Sequence, residues 1–424
     1  MVMRVVFVYP YFDYRGPDKF PIGIAYLASI AKRFADVKVI DESIERTSAK
    51  QILKQEPDVV CFSATTPAFP SAYKLAKEIK AMNNDVKIIF GGVHATFKPE
   101  DALRCSDIVV RGEGEITLKE ILEGKGLEKI KGISFKNNGC IVHNRERELI
   151  ENLDSLPFPA YEFFDLKKYK VMSVITSRGC VYKCSYCCAT RLWKCRVRFR
   201  SSQNVIEELR MLKELNVKRL KIQDSTFNLN EKRALEICKL MRKESLDFEW
   251  SCEVRADHLT ERLVKEMKKS GCVLLCIGVD SGSQSILDAN KREMKVQDII
   301  KAFELAKKYD IKTRAYVTFG LKGETRKSVE DTIKLLRKIK PTQIMLSLAT
   351  AYPGTELKPS GYAFPENWVR MFSGHGRGAQ LYVPETLSKE EYMRLAEYML
   401  EEIKKLSLLQ RKTIAKTLNT EKRK

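Results

Sequence analysis

The chain has few histidines, no long hydrophobic run and too few acidic residues to balance its basic ones. Its 424 residues include only 4 histidines, and none lies in or beside the cysteine-rich segment 180–195. No stretch reaches the roughly 18 consecutive apolar residues of a membrane span, and the N-terminus turns aromatic and polar too early for a signal peptide. The 12 cysteines are spaced unlike an extracellular disulfide framework, because five of them fall within residues 180–195. We therefore expect a cytoplasmic protein with reduced thiols.

The shortage of acidic residues leaves a strongly basic chain. Lysine and arginine number 76 against 55 aspartates and glutamates, which gives a formal net charge of +21. The last 24 residues carry eight bases and three acids. This charge fits an anionic partner such as nucleic acid or the headgroups of a peripheral membrane contact, while a solvated helix end is the simpler account of the tail.

Short apolar runs alternate with helical patterns through the first third of the chain. The runs are continuous and rich in β-branched residues, which is typical of strands buried on both faces; they lie at residues 4–9, 36–40, 58–63, 86–90 and 107–110. Helical periodicity separates them at residues 22–34, 71–82 and 116–123. The alternation predicts an α/β fold with a doubly wound, Rossmann-like parallel sheet, whose ligands bind beyond the carboxyl ends of its strands.

The periodicity breaks near residue 124 and returns as a second series of six apolar runs. These lie at residues 172–176, 219–223, 248–254, 273–279, 313–319 and 343–348, with helical segments between them. Six βα units are too few for an eight-stranded TIM barrel and predict a partial (β/α)6 barrel. A polar helix is expected around residues 389–406. The predicted domains are a Rossmann-like domain at 1–130, a linker at 131–170, the partial barrel at 171–350 and a mostly helical C-terminal extension with a basic tail at 351–424.

Cys180, Cys184 and Cys187 follow the first run of the second series with the spacing C-x3-C-x2-C. Three thiolates on one strand-to-helix loop can converge on a single inorganic centre, and 4Fe-4S clusters are ordinarily held by cysteine thiolates. With only three cysteine ligands, one iron is left open for a substrate or cofactor. A structural zinc site is the alternative, because Cys188 or Cys195 would supply the fourth ligand that zinc requires.

At these residues the sequence resembles the radical S-adenosylmethionine (SAM) superfamily, whose signature is C-x3-C-x2-C with an aromatic residue before the last cysteine. Tyr186 occupies that aromatic position. The resemblance implies that Cys180, Cys184 and Cys187 bind a 4Fe-4S cluster, that the open iron chelates SAM, and that Tyr186 lies near the adenine. It also implies that the reduced cluster cleaves SAM to methionine and a 5′-deoxyadenosyl radical, with an electron donor of the ferredoxin or flavodoxin type.

Two later strands resemble SAM-binding strands of the same superfamily. Asp224 ends a strand similar to the one that meets the SAM amino group, although a buried strand with a helix-capping residue explains it as well. Glu253 and Arg255 are two apart and therefore share one face of a strand. They resemble the polar contacts to the SAM ribose and carboxylate, and a structural ion pair is the alternative.

Two loop motifs extend the resemblance. Asp280 lies in GVDSGS at 278–283, similar to the family's G-x-E-S-G-S but with a shorter carboxylate in place of Glu. Phe319 begins FGLKGET at 319–325, similar to G-x-P-G-E-T with Lys322 where proline is usual. The resemblance implies that Asp280 and Phe319 belong to the SAM site.

The first 130 residues resemble the cobalamin-binding domain that precedes the barrel in one branch of this superfamily. The matching segments are PIGIAYL at 21–27, GGVHAT at 91–96 and GEGEIT at 112–117, and in the linker LPFPAY at 156–161 matches the same branch. The D-x-H-x-x-G ligand motif of base-off cobalamin proteins is absent, as it often is in that branch. Cobalamin is thus implied by the resemblance alone. We expect His94 not to bind cobalt, because a loop histidine is more often a hydrogen-bonding or surface residue.

Residues 191–200 are basic and aromatic. Arg196, Arg198 and Arg200 are two apart and share one side if this segment is extended. That side would suit an anionic substrate or nucleic acid, and local support of an anionic cluster and the SAM carboxylate is the alternative.

These features predict an iron–sulfur, SAM-dependent radical enzyme, and the leading hypothesis is a cobalamin-dependent methyltransferase acting on an unactivated carbon. One alternative is a radical SAM methylthiotransferase acting on RNA. Such enzymes carry extra cluster cysteines near the N-terminus, and Cys61, Cys105 and Cys140 are only a sparse match to them. Another is a non-enzymatic, metal-stabilised nucleic-acid-binding protein, suggested by the charge of +21. The substrate stays open among small molecules, tetrapyrroles, lipids and peptides.

Overall fold

The computed structural model describes residues 2–12, 20–372 and 379–421, with side chains as far as residue 406. Within these ranges the chain divides into two compact units. The first holds the described residues up to Ile175 together with Arg198–Ser201, and the second holds the other described residues from Thr176 onward.

The first sheet has seven strands: β1 Arg4–Tyr9, β2 Asp36–Asp41, β3 Val59–Ser63, β4 Lys87–Gly91, β5 Ile108–Val110, β6 Ile133–Asn137 and β7 Cys140–His143. Their order is β2-β1-β3-β4-β5-β6-β7. The strands β1 to β5 pair in parallel, which confirms the predicted doubly wound sheet. The helices of this part are α1 Ile22–Ala31, α2 Ala49–Leu53, α3 Phe69–Met82, α4 Gly92–Phe97, α5 Pro99–Leu103 and α6 Glu115–Leu122.

The central strand β1 shows why its sequence is a continuous apolar run. Val6 and Val8 belong to the hydrophobic cluster on one face of the sheet, and Val5 and Phe7 belong to the cluster on the other. All four are at most 1% exposed. Burying such a side chain contributes about 1.5–3 kcal/mol, so both faces of the strand stabilise the unit.

The last two strands of this sheet form an antiparallel hairpin that the sequence analysis assigned to the linker. Its turn residues, Asn138 and Gly139, have φ of 49° and 79°. Two consecutive positive φ values are typical of a type I′ turn, which favours Asn-Gly. The hairpin therefore extends the sheet at β5, where the periodicity had indicated only a loss of regular structure.

The basic segment 191–200 does not present the shared open side that its spacing predicts. Arg198 and Arg200 are only 5% and 3% exposed, and both lie in the first unit. Arg198 Nη1 lies 2.6 Å from Glu113 Oε2 and donates to the carbonyl of Ile150. Arg196 alone of the three is exposed. An anionic ligand held jointly by the three arginines is therefore excluded.

The second half of the chain contains β8 Met172–Val174, β9 Ser177–Gly179, β10 Val197–Phe199, β11 Arg219–Ile222, β12 Glu249–Val254, β13 Cys272–Asp280, β14 Lys312–Phe319 and β15 Gln343–Leu348. Six of these form a sheet in the order β15-β14-β13-β12-β11-β8, and β9 and β10 pair separately. The consecutive pairs from β11 to β15 are parallel. All six predicted barrel strands are thus confirmed, in chain order.

The helices of this half are α7 Ala189–Leu192, α8 Ser202–Glu214, α9 Glu231–Lys243, α10 Glu261–Lys269, α11 Gln284–Ala289, α12 Val296–Lys308, α13 Arg326–Ile339, α14 Glu366–Val369 and α15 Lys389–Glu421. Short 3-10 helices occupy Leu127–Lys129, Leu153–Ser155, Tyr161–Phe163, Leu166–Lys168, Phe227–Leu229 and Ala256–His258. Alternate residues of β14 are buried, and those between them are partly exposed. The barrel-type sheet therefore has one face in the core and one polar face with access to solvent.

The C-terminal region is helical, as predicted, and α15 packs against the barrel-type sheet. Tyr392 is fully buried, and its ring centroid lies 4.9 Å from that of Phe319. A Cβ on Gly320 would lie 2.5 Å from the Tyr392 ring, and Gly320 has φ of +83°. Glycine is therefore required where β14 ends beneath α15. The basic side chains beyond residue 406 lie outside the described residues. In the described ranges, no helix combines the length and apolar character needed to cross a membrane.

Candidate functional site

The three signature cysteines lie on the loop between β9 and α7. All are free thiols; Cys184 is buried, and Cys180 and Cys187 are partly exposed. Burial, and to a lesser extent the neighbouring thiols of Cys188, Cys184 and Cys180, raise the pKa of Cys187 to about 12. Among the described residues, no three His, Cys, Asp or Glu side chains converge as closely as metal ligands do. As a donor set the thiols fit an iron–sulfur cluster, and their protons must leave when it binds.

Asn290 holds this loop in place. Its side chain is fully buried, and its Oδ1 accepts from the Ser185 hydroxyl at 2.9 Å. Its Nδ2 donates to the carbonyls of Ile286 at 2.8 Å and Lys322 at 3.0 Å. One amide thus joins the cysteine loop to the FGLKGET segment. The sequence analysis did not single it out, because its partners are remote along the chain.

Tyr182 connects the same loop to the end of β12. The Arg255 guanidinium lies 3.3 Å from the centroid of the Tyr182 ring, and Nε and Nη2 of Arg255 form a bidentate pair with Asp257. Nη2 also donates to the carbonyls of Arg292 and Glu293. The buried Nη1 of Arg255 has no hydrogen-bond partner among the described residues. An orphaned donor beside the cysteine loop fits a ligand carboxylate such as that of SAM.

Arg292 is a second residue that sequence reasoning missed. Its Nη1 lies 3.9 Å from the Cys184 sulfur as a hydrogen-bond donor, and its Nε lies 2.7 Å from Asp280 Oδ2. Burial is the largest influence on the Cys184 thiol and raises its pKa, while Arg292 opposes that rise. Asp280 therefore faces a guanidinium.

The Asp224 carboxylate accepts four hydrogen bonds from the segment that leads into the cysteine loop. Its Oδ1 accepts from the backbone N–H groups of Thr176 and Ser177 at 2.7 and 3.0 Å. Its Oδ2 accepts from both of their hydroxyls. With no exposed surface, this carboxylate fixes the position of β9 relative to β11.

Glu253 and Arg255 do not pair with each other. The Lys221 Nζ lies 2.9 Å from Glu253 Oε1, and their side chains are 11% and 34% exposed. The carboxylate raises the pKa of Lys221 against the effect of burial. Lys221 and Glu253 thus form an ion pair between β11 and β12, and burial raises the pKa of the Tyr316 phenol on β14 to about 12.

Tyr186 and Phe319 have different packing partners in the second unit. Tyr186 packs against the cluster formed by Ile286, Leu321, Ala349 and Tyr382. Burial and the Asp280 carboxylate raise its pKa. Phe319 is fully buried and contacts Tyr392 of α15. The structure therefore brings Cys184, Tyr186, Asp280 and Arg292 together, and places Phe319 in the core beneath α15.

In the first unit, the carboxyl ends of β3 and β4 form the expected ligand edge. Gly92 has φ of +89°, and a Cβ there would lie 2.7 Å from the carbonyl oxygen of Ala64. The His94 ring stacks on Phe69 at 3.9 Å, and its Nδ1 lies 3.2 Å from the Thr66 hydroxyl. Its Nε2 is buried and has no hydrogen-bond partner within the described part of the chain, and burial lowers the pKa of the imidazole. A neutral, orphaned ring nitrogen at this edge fits a polar group of a bound cofactor.

Comparisons with known proteins match both halves of the chain. The radical SAM superfamily model matches residues 174–336, and the B12 binding domain model matches residues 11–122. An uncharacterized methyltransferase of Pyrococcus horikoshii is 39% identical over 354 residues, which are 80% of this chain and 77% of that protein. The anaerobic magnesium-protoporphyrin IX monomethyl ester cyclase of Rubrivivax gelatinosus is 27% identical over 386 residues, covering 84% of this chain and 69% of the cyclase.

A solved structure has the same fold. The radical SAM methyltransferase TsrM of Kitasatospora setae, with cobalamin and a [4Fe-4S] cluster bound, matches with a TM-score of 0.76 at 17% identity. The match covers 94% of this chain and 91% of TsrM. These comparisons confirm the predicted fold class, enzyme class and cofactors, and they favour the methyltransferase hypothesis over the methylthiotransferase and non-enzymatic alternatives. The chain belongs to the branch of the radical SAM superfamily that carries a B12-binding domain, a family of enzymes whose cofactors are a 4Fe-4S cluster, SAM and cobalamin.

Proposed function

We propose that this enzyme transfers a methyl group to an unactivated carbon of its substrate. The observation that carries the proposal is the combination, in one chain, of a loop with three free thiols and a doubly wound unit of the B12-binding type. The 39% identity to a methyltransferase supports the same reaction class.

Cys180, Cys184 and Cys187 hold the iron–sulfur cluster in this proposal, and Cys188 and Cys195 are not ligands. When bound, the cluster supplies the electron that cleaves SAM to a 5′-deoxyadenosyl radical, and cobalamin supplies the methyl group. The protein contributes orientation, because Asn290, Arg255 and Arg292 each contact a residue of the cysteine loop.

The SAM site is assigned to residues around that loop. Arg255 binds the SAM carboxylate through Nη1, which has no partner in the described part of the chain. Tyr186 lies near the adenine, and Glu253, with a third of its side chain exposed, accepts from the ribose. We assign positioning roles to Asp224, Asp280 and Phe319, because each is engaged by other side chains or by the backbone.

Cobalamin is assigned to the carboxyl edge of β3 and β4. His94 donates or accepts one hydrogen bond there through Nε2 and does not ligate cobalt, since Phe69 and Thr66 hold its ring in place. Gly92 keeps the backbone of this edge close to Ala64, where a side chain would clash with the Ala64 carbonyl.

The reducing electron comes from a ferredoxin- or flavodoxin-type donor. Residues 176–200 contain seven Lys or Arg residues and no Asp or Glu, and Lys183 and Arg191 are exposed. A basic surface around the cysteine loop suits a small acidic electron carrier. All 12 cysteines are free thiols, which supports work in a reducing compartment such as the cytoplasm.

An anaerobic reconstitution tests the proposal. With iron and sulfide, the protein should become brown, hold about four irons and release 5′-deoxyadenosine from SAM when dithionite is added. With SAM that carries a deuterated methyl group, the enzyme should place that label on a carbon of a compound extracted from the source cells. A corrin spectrum should survive desalting of cobalamin-loaded protein.

Matched cysteine variants sharpen the test. Replacing Cys180, Cys184 or Cys187 with alanine should abolish SAM cleavage, and Cys188→Ala should retain it. A colourless zinc protein that leaves SAM intact would contradict the whole proposal. Loss of the cluster in Cys188→Ala alone would show that the ligand assignment is wrong.

A further inference from the structure

A single guanidinium ties the cysteine loop to the end of β13. Arg292 Nη1 donates toward the Cys184 sulfur at 3.9 Å, Nη2 donates to the Gly278 carbonyl at 3.0 Å, and Nε pairs with Asp280 at 2.7 Å. The side chains of Arg292 and Asp280 are only 11% and 10% exposed. Nη1 and Nη2 therefore each donate one hydrogen bond, and Nε approaches the Asp280 carboxylate as an ion pair, with no hydrogen-bond partner of its own among the described residues.

The local backbone is built to admit this side chain. The register of β13 against β14 shifts between Gly278 and Asp280, and Asp280 has φ of +59°. A Cβ on Gly278 would lie 2.5 Å from Arg292 Nη2. The irregularity turns the Asp280 carboxylate toward the guanidinium, and the glycine leaves the space that the guanidinium fills.

The carboxylate of Asp280 is engaged by the same guanidinium. Asp280 stands where the family motif carries Glu. Its Oδ2 lies 2.7 Å from Arg292 Nε and so holds Arg292 beside the cysteine loop. Asp280 and Arg292 thus act as one unit.

We propose that Arg292, held by Asp280, raises the reduction potential of the iron–sulfur cluster through its hydrogen bond and positive charge at Cys184. This inference rests on the proposed function, because it requires the cluster at the three cysteines. One electron from the donor makes the cluster more negative, and a nearby cation stabilises the reduced form. Hydrogen bonds to the sulfurs and the net charge of the surroundings are what set such potentials.

Arg292 is in this account a positioning residue, since it acts through Cys184 and not on the substrate. A role in folding alone would change the amount of cluster bound but not the potential of the cluster that remains. The potential therefore separates the two roles. The sign of the shift in reduction potential separates the two roles further, because removing Arg292 and removing the charge of Asp280 should shift the potential in opposite directions.

The experiment is a spectroscopic redox titration of the reconstituted, full-length enzyme without SAM. In Arg292→Gln, the equilibrium constant for one-electron reduction should fall about tenfold, a shift of ~59 mV to lower potential. In Asp280→Asn, the uncompensated guanidinium should shift the potential upward. Arg292→Lys keeps the charge and should lie between wild type and Arg292→Gln.

Lys291→Gln is the matched control. Lys291 is the neighbouring cation, half-exposed and paired with Glu356, so its loss removes the same charge without a contact to the cysteine loop. The reduction potential of the cluster in Lys291→Gln should equal that of the wild type. Equal potentials in Arg292→Gln and Lys291→Gln, or shifts of one sign in Arg292→Gln and Asp280→Asn, would overturn the inference. Failure of the wild type to assemble any cluster would instead overturn the proposed function together with it.

Discussion

Replacing Asn290 with alanine should destabilise the second unit by about 3–4 kcal/mol. The substitution removes four hydrogen bonds: two that Nδ2 donates to the carbonyls of Ile286 and Lys322, and two that Oδ1 accepts from Ser185 and the Lys322 N–H. Each is worth about 1 kcal/mol, and the partners left behind are buried. The free energy of unfolding should fall accordingly.

Urea denaturation followed by tryptophan fluorescence measures this loss in the right part of the molecule. All three tryptophans, Trp193, Trp250 and Trp368, lie in the second unit, so unfolding of the first unit contributes no direct signal. Ser185→Ala should cost about 1 kcal/mol. In the double variant with Asn290→Ala, the total loss should be smaller than the sum of the two single losses, because both substitutions remove the hydrogen bond between Ser185 and Asn290.

Asn367→Ala provides the control, since Asn367 is an exposed amide of the same unit whose Oδ1 accepts a hydrogen bond from the adjacent Trp368 N–H. Its unfolding free energy should stay within about 0.5 kcal/mol of the wild type. A loss below about 1 kcal/mol in Asn290→Ala, or full additivity with Ser185→Ala, would refute the argument that this amide fastens the cysteine loop.

Two further predictions concern pH and electron transfer. Burial raises the pKa of Glu324 from 4.5 to about 7, so the folded state binds this proton more tightly than the unfolded state does. The free energy of unfolding of the wild type, measured by urea denaturation, should therefore fall by about 3 kcal/mol as pH rises from about 4.5 to about 7. Glu324→Gln should remove this fall, and an unchanged pH dependence in the variant would contradict the prediction. Reversing the exposed charges in Lys183→Glu/Arg191→Glu should slow cluster reduction by a flavodoxin at least tenfold at low salt but leave reduction by dithionite unchanged. Lys232→Glu/Lys239→Glu, on the exposed side of α9, is the matched control, and an equal effect in both double variants would argue against a docking surface at the cysteine loop.

The strands were predictable because local pattern determines them. Continuous apolar runs predict β1 and its neighbours, since both faces of these strands are buried. The hairpin at residues 133–143 was missed, although Asn138-Gly139 is a strong local signal for its turn. Its strands are short and mostly polar on one side, so periodicity alone could not reveal them.

The contacts of the candidate site were less predictable, because they depend on residues remote in sequence. Alternation predicts that Glu253 and Arg255 share one side of a strand, yet β12 ends at Val254, Lys221 takes the carboxylate and Asp257 takes the guanidinium. The motif resemblance implies a role for Asp280 but not its pairing with Arg292. Partners of this kind are fixed by the packing of neighbouring strands and loops, which a single sequence does not display.

The return of Arg198–Ser201 to the first unit has a consequence for how the protein is made. Glu113 is only 4% exposed in this unit, and it receives the Arg198 guanidinium and the Ile150 N–H. A nascent chain that has emerged only as far as residue 175 lacks that guanidinium, and losing one partner of a buried ion pair is costly. The first unit therefore reaches its final stability only after the cysteine loop has been synthesised, and a fragment cut at residue 175 is a poor substitute for the B12-binding half of the enzyme.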